Sequence, residues 1–357
     1  NDRLPAPCGG MAEVKYCVES AVMGALAQAI AGKVTGDLKG GGNHCYVGGT
    51  DPRIGGTFIF YEYPAGGTGA FEGGDGNNAV RTFTESDITT IQPVEAVEQK
   101  YPLRVEGLEL RSGSGGDGRW RGGLGLRREV RLLAPEAQLS VLSEKNLLPP
   151  YGVCGGMSGA PNRFFVVRDG REIEPSPLPG KVSGFPLRGG DVVVMESSGG
   201  GGYGDPLERD PTDVVRDVSE RVISLTKAES VYGVLLRDGA VRGEETRQRR
   251  EGLKQARSTI RLHGGEGLEY KEGRRVCRLS HTAARRLGVK EGDIVEFVSP
   301  RGAPLRAWVE VAGEEEGDHG QISEDGLAIL GVRGGERVEI RLILPSEVAS
   351  SRPLSGG

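Results

Sequence analysis

Apolar runs are short throughout this chain. None approaches the roughly 18–20 residues of a membrane helix, so no helical span is expected. Cysteine is sparse: Cys8, Cys17, Cys45, Cys154 and Cys277, with no C-x-x-C pair among them. An odd, dispersed set gives neither a disulfide framework nor a structural zinc site, and the expectation is reduced, mostly buried thiols in a cytoplasmic protein. No excess of one charge exists either. The 45 basic and 50 acidic residues are well mixed and leave a net charge of −5, which argues against broad nucleic-acid or anionic-membrane binding. Trp120 and Trp308 are too isolated to form a stacking platform for bases. No glycine cluster is followed by Gly-Lys-Ser/Thr, so the chain carries no phosphate loop for ATP. No signal-peptide pattern opens it.

Glycine is what the chain has in excess. It supplies 60 of 357 residues, about 17% against an average near 7%. The glycines follow no strict period and punctuate short apolar runs, which predicts loop-rich globular β structure. The densest stretch is Gly40 to Asn78. It holds one alternating aromatic and β-branched run, Thr57 to Tyr63, which reads as a strand flanked by two glycine-built loops.

The expected fold class is α+β, mainly β: a glycine-rich mixed β domain with few helices, plus a small C-terminal β-barrel. Residues 1–240 form the first domain. Within it, 13–31 reads as an amphipathic helix through Val14, Val18, Ala21, Val22, Leu26 and Ile30, with Gly24 and Ala25 pressing on a sheet. Strands are expected at 103–110, 126–133, 138–143 and 191–196, with a hairpin turning at Asp169-Gly170. A helix capped by Asp210 or Thr212 follows, then a strand from Tyr232. Residues 241–272 are charged and read as an exposed helix or linker. Residues 273–344 contain a duplication, LGVKEGDIVE at 287–296 and LGVRGGERVE at 330–339, which resembles the halves of a double-psi β-barrel. The Ser/Pro/Gly-rich tail 345–357 is expected to be disordered.

Residues with usable chemistry concentrate in the glycine-rich stretch. His44, beside Asn43 and Asp51, can act as a metal ligand or general base, or can be a hydrogen-bonded structural histidine. No second histidine lies near it, whereas a metal site needs three or four ligands; that no metal is bound by this chain is what the family resemblance carried by the blocks below implies. Cys45 has no triad spacing and reads as a buried thiol. Glu62 and Asp75 can converge on a pocket as an acid–base pair. Alternatively, Glu62 pairs with an arginine and Asp75 caps a turn. The backbone of Gly66, Gly67 and Gly69 can cradle an anion, although glycine-built turns are the plainer reading. The loops holding Asn43–His44 and Gly66–Asp75 are expected to meet and to face a cleft or a subunit interface.

Four blocks occur in order: GGTDPRIGGTFIFYEYPAGGTGAFEGGDGNNAV, then PVEAVEQKYPLRVEGLELRSGSGGDGRWRGGLGLRREV at 93–130, PPYGVCGGMSGAPN at 149–162 and SSGGGGYGDPLERDP at 197–211. Together they resemble the hydantoinase B/5-oxoprolinase family over about residues 1–240, matching the C-terminal part of a family chain. The resemblance implies a subunit of an ATP-dependent enzyme acting on a small-molecule cyclic amide such as hydantoin, 5-oxoproline or a lactam. ATP is then bound by a hydantoinase A-like partner, and the upstream half of the hydantoinase B-like chain is supplied separately. The ketone-carboxylase branch and a non-catalytic assembly role are the alternatives. On the cyclic-amide reading, His44, Glu62 and Asp75 are the catalytic candidates, and Asn43, Asp51, Gly66, Gly67 and Gly69 the substrate-binding ones.

Overall fold

A computed structural model describes residues 14–30, 32–80, 91–270, 273–312 and 317–344; the expected tail 345–357 lies outside them. The first part of the chain contributes nine strands: β1 His44–Asp51, β2 Gly56–Glu62, β3 Leu103–Leu110, β4 Leu126–Leu132, β5 Glu136–Leu142, β6 Arg163–Arg168, β7 Arg171–Ile173, β8 Lys181–Arg188 and β9 Val192–Glu196. They form two antiparallel sheets, ordered β2-β1-β5-β8 and β3-β4-β9-β6-β7. Alternation drives their packing. Cys45, Val47, Phe58, Phe60 and Leu139 point inward from the first sheet. Val130, Leu132, Phe164, Val166 and Met195 meet them from the second in one apolar core. The Asp169-Gly170 hairpin is present between β6 and β7, with φ of 50° and 75°, the left-handed pair that a two-residue turn of primed type requires.

A second core has almost no side chains. Residues 35–37, 66–70, 114–125, 151–159 and 197–203 run against one another and exchange backbone hydrogen bonds. Segment 197–203 bonds to all four others. Gly201 N–H donates to Asp37 O at 2.8 Å, and Ala70 N–H to Gly201 O at 2.9 Å. Gly116 N–H donates to Gly200 O at 2.8 Å, and Gly202 N–H to Met157 O at 2.9 Å. The chains lie too close for a side chain. A Cβ on Gly69 would sit 1.7 Å from Gly36 O, and one on Gly122 would sit 2.0 Å from Gly200 O. Of the bundle glycines only Gly155 has positive φ, at 93°. Space, not backbone conformation, demands glycine here, as it does at the axis of the collagen triple helix.

The first helix, α1 (Lys15–Ala29), faces the opposite way from what its sequence suggests. Its inward line is Tyr16, Ser20, Gly24 and Ala27; a Cβ on Gly24 would meet Tyr151 Oη at 2.9 Å. The apolar line Val14, Val18, Val22, Leu26 and Ile30 is turned outward, 39–55% exposed. Further helices are α2 Val94–Lys100, α3 Pro211–Ser219, α4 Leu225–Ser230 and α5 Gly243–Gln255. Asp210, not Thr212, caps α3. The strand expected from Tyr232 is reduced to a short pair, β10 Leu236–Arg237 and β11 Ala240–Val241.

The stretch read as a linker, 241–272, is largely structured. Arg250 on α5 donates to Tyr232 O at 3.0 Å and Arg209 O at 2.6 Å. Its charge is anchored on backbone carbonyls. The next strand, β12 Thr259–Gly264, is part of the C-terminal barrel, which therefore begins before residue 273. The other barrel elements are β13 Val276–Leu279, α6 His281–Leu287, β14 Ile294–Phe297, β15 Leu305–Val311, β16 His319–Ile322, α7 Glu324–Leu330 and β17 Arg337–Leu344. The barrel closes in the order β12-β16-β13-β15-β14-β17. Its duplication is structural: α6 is capped by Ser280 and ends at Gly288 (φ 66°), and α7 is capped by Ser323 and ends at Gly331 (φ 70°). The barrel is fastened to the first part of the chain. Arg306 donates to Pro149 O at 2.8 Å and Ser158 Oγ at 2.9 Å, and Arg341 to Gly155 O and Gly156 O at 3.1 Å each.

Candidate functional site

The structure gathers some of the sequence candidates and separates others. Asn43 is fully buried in the left-handed region (φ 52°). Its amide pairs with Asn162 at 3.1 Å and accepts from Ser143 Oγ at 2.8 Å. Asn162 also accepts from Ser198 N–H at 2.6 Å, and Gly67 N–H donates to Ser198 O at 3.0 Å. The two glycine-built loops do meet, through Asn162 and Ser198. The N–H groups of Gly66 and Gly67 are used up there, on Val80 O and Ser198 O, so neither is aimed at a ligand. Gly69 is committed to the packing against Gly36.

Three carboxylates have arginine partners. Asp51 is bonded to Arg53 through both oxygens, which holds it below the usual carboxylate range. Glu62 lies buried 2.9 Å from Arg128 Nε, and accepts from Gln92 N–H at 3.2 Å. Asp75 receives both guanidinium nitrogens of Arg209 at 2.7 Å and the Arg121 N–H at 2.7 Å. Burial pushes Asp75 upward, but Arg209 and Arg121 outweigh it, and the net shift is downward. Arg209 in turn lies 2.8 Å from buried Asp217. Glu62 and Asp75 thus belong to two different ion-pair networks.

His44 remains accessible. It stands on the outer face of β1, with Nδ1 2.6 Å from Tyr61 Oη. It stacks on Tyr61 at 5.6 Å between ring centroids and leans on Tyr63 at 5.8 Å. Tyr46 stacks on Tyr61 at 4.7 Å, extending the row. Cys45, the next residue, points inward and is wholly buried, and burial followed by Glu62 drives its thiol far upward.

A further cluster escapes sequence inspection. Lys145, itself at φ 53°, donates to Asp37 Oδ2 at 2.5 Å, Ser20 Oγ at 2.9 Å and Leu38 O at 3.0 Å. Tyr151 Oη donates to Ser20 O at 2.5 Å. Cys17 Sγ donates to Glu144 Oε2 at 2.6 Å, and Glu144 also receives the Gly41 N–H. Burial, then Glu144, pushes the Cys17 thiol up to about 12. Cys17, Ser20, Asp37, Glu144 and Lys145 floor a cleft of about 460 Å³ whose walls include Leu147, Leu148, Leu178, Ile294, Trp308 and Leu344. The walls are apolar and come from both the first part of the chain and the barrel, a common setting for small-molecule sites. All three Lys145 protons are engaged and the thiol is protonated, so the floor offers no ready nucleophile. The parts of the cleft come from residues 17–37, 143–149, 178–181, 294–308 and 344, which no local pattern links. Among the described residues no group of three or more His, Cys, Asp or Glu is placed to hold a metal ion, and no helix is long and apolar enough to cross a membrane.

Comparison with known proteins agrees with the four sequence blocks. The family model described as Hydantoinase B/oxoprolinase matches residues 1–206. An uncharacterized protein of Methanocaldococcus jannaschii is 34% identical over 255 residues, 70% of this chain and 43% of that one. A candidate B component of a D-/L-hydantoinase from Pseudomonas sp. strain NS671 is 32% identical over 238 residues, 67% of this chain and 39% of that one. This chain thus spans about two fifths of the length of these relatives. Among solved structures, the ATP-dependent caprolactamase of Pseudomonas jessenii matches with a TM-score of 0.54 at 24% identity, over 63% of this chain and 40% of that one. A nucleotide-free acetone carboxylase matches with 0.53 at 22%, over 64% and 34%. At these identities the two show a shared fold.

Proposed function

This chain belongs to the hydantoinase B/oxoprolinase family, and from that membership we propose that it is one subunit of an ATP-dependent enzyme that hydrolyses a cyclic amide of the hydantoin, 5-oxoproline or lactam type. The observation that carries the reading is the family match over 1–206, reinforced by the relative described as the B component of a hydantoinase. ATP is used on a hydantoinase A-like partner. The absence of a phosphate loop here supports that division, as does the commitment of the Gly66, Gly67, Gly200 and Gly201 N–H groups to backbone carbonyls. The remainder of a hydantoinase B-type chain completes the complex.

Within this chain His44 is the acid–base group, because it is half-buried, hydrogen-bonded to a hydroxyl and set in an accessible aromatic row. Tyr61 fixes the ring and relays its proton. Glu62 and Asp75 act indirectly, by holding β2 and the glycine bundle. The test is reconstitution with the partner subunits. ATP turnover is measured with hydantoins, lactams and ketones, with and without bicarbonate. Amide-dependent turnover is expected, and His44→Ala lowers it by about 10²-fold or more while assembly is unchanged. Ketone- and bicarbonate-dependent turnover instead would move the chain to the carboxylase branch. Full activity of His44→Ala would return His44 to a structural role.

A further inference from the structure

The cleft of about 460 Å³ lies where the barrel meets the first part of the chain, and Leu147, Leu148 and Leu178 line it together with Ile294, Trp308 and Leu344. That volume holds roughly 15 non-hydrogen atoms at about 30 Å³ apiece. Walls of this kind take up the hydrocarbon part of a ligand, and a few polar groups fix its orientation. The charges around the cleft differ in how far they are compensated. Lys145 is bonded to Asp37, and Arg306 lies 3.0 Å from Glu296. Glu144 on the floor accepts from Cys17 Sγ and from Gly41 N–H. Lys181 lines the cleft from an exposed position on β8 and has no carboxylate partner among the described residues. Nor has Arg274, whose guanidinium lies 5.8 Å from the centre of the Trp308 ring. The Trp308 indole N–H also has no acceptor among the described residues. Uncompensated positive charge and a spare donor therefore stand at the mouth, and a carboxylate stands at the bottom.

We propose that this cleft binds a small molecule with an apolar body and a single carboxylate, of the medium-chain fatty acid type. The hydrocarbon lies inward among the leucines, and the carboxylate lies outward at Lys181 and the Trp308 N–H. Charge sets the direction. A carboxylate turned inward would meet Glu144, and like charges brought together without a counter-ion are disfavoured. A second carboxylate on the ligand would meet the same obstacle, so dicarboxylates are excluded. A neutral ligand of the same length keeps the apolar contacts and leaves Lys181 unpaired. The site is assembled from both parts of the chain, so an occupant ties the barrel to the body and raises the stability of the two together. The assignment does not depend on which amide, if any, the assembled enzyme hydrolyses.

The experiment titrates the full chain with hexanoate, octanoate, octanol and octylamine, read by calorimetry and by tryptophan fluorescence. One equivalent of octanoate is expected to bind, about fourfold more tightly for each methylene added to hexanoate. Trp308→Phe should remove the fluorescence change. Lys181→Glu should weaken octanoate about fivefold or more, the scale of an exposed ion pair, and change octanol less than twofold. Leu178→Asp should weaken both ligands. Lys181 and Leu178 are exposed, so neither change threatens the fold. No saturable binding, tighter binding of octylamine than of octanoate, or octanoate binding that ignores both Lys181→Glu and Leu178→Asp would each overturn the proposal. A chain ending at Leu344 that binds octanoate at least tenfold more tightly would show residues 345–357 to be the occupant, and would overturn it too.

Discussion

Replacing Gly200 with alanine tests whether the side-chain-free bundle is a core in the energetic sense. The new Cβ would lie 1.9 Å from Thr68 O, 2.2 Å from Thr68 C and 2.6 Å from Gly69 N, all backbone atoms that no rotamer change can move aside. Ordinary carbon contacts begin near 3.5 Å, so the chains must part by about 1.5 Å. That parting stretches two buried bonds, Gly200 N–H to Gly123 O at 2.9 Å and Gly116 N–H to Gly200 O at 2.8 Å. Overpacking costs about 1–3 kcal/mol, and each buried backbone group left unpaired about 1–3 kcal/mol more. The total, roughly 3–9 kcal/mol, is comparable with the whole stability of a typical protein, about 5–15 kcal/mol. Gly252→Ala is the control. Gly252 lies in α5 with nothing within 4 Å of its added Cβ, so alanine there should stabilise by about 0.5–1 kcal/mol. Urea unfolding and calorimetry of the three proteins compare them. A Gly200→Ala protein within about 1 kcal/mol of the parent would refute the claim that steric exclusion fixes glycine at these positions.

Three other outcomes are expected. Asp75 is held below its ordinary pKa, so its contribution to stability is complete above the unfolded value near 3.9 and is lost as pH falls through the folded one; Asp75→Asn should lower stability at pH 7 and flatten its decline below pH 4, as read by unfolding across pH. Cys17 is exposed as a residue, but its thiol is partly covered at the cleft floor and donates to Glu144, which pushes it up, so alkylation at pH 8 should be slower than for a free cysteine with pKa near 8.5, and Glu144→Gln should speed it. Breaking the buried Glu62–Arg128 pair with Glu62→Gln leaves an uncompensated guanidinium and should cost about 3–5 kcal/mol; a loss below about 1 kcal/mol by urea unfolding would show that the pair is solvated.

What could be read from the sequence was whatever left a local pattern. The Asp169-Gly170 hairpin, the alternating strands and the repeated Leu-Gly-Val units with their glycine helix stops were legible, because each is written within about ten residues. The bundle was not. Glycine carries no polarity for a periodicity to detect, and its partners lie up to 165 residues apart, as in Gly36 against Gly201. For α1 the pattern revealed an apolar face but not what would cover it. Strand β12 was hidden by the arginines and glutamates around it. At the candidate site, Asn43 and His44 could be picked out by residue type and place. The Lys145–Asp37 floor could not, since neither residue stands in a motif and the chain joins them only on folding.

The bundle also sets a schedule for folding on the ribosome. Segment 197–203 bonds to every other segment of the bundle, yet it is the last of the five to be synthesised. Until residue 203 has left the exit tunnel, residues 35–37, 66–70, 114–125 and 151–159 lack their common neighbour, and their backbone groups must stay hydrated or borrow other partners. At about 5–20 residues per second the interval from the first segment to the last is on the order of 10–30 s. During that interval the nascent chain offers glycine-rich segments whose amides still lack their final partners.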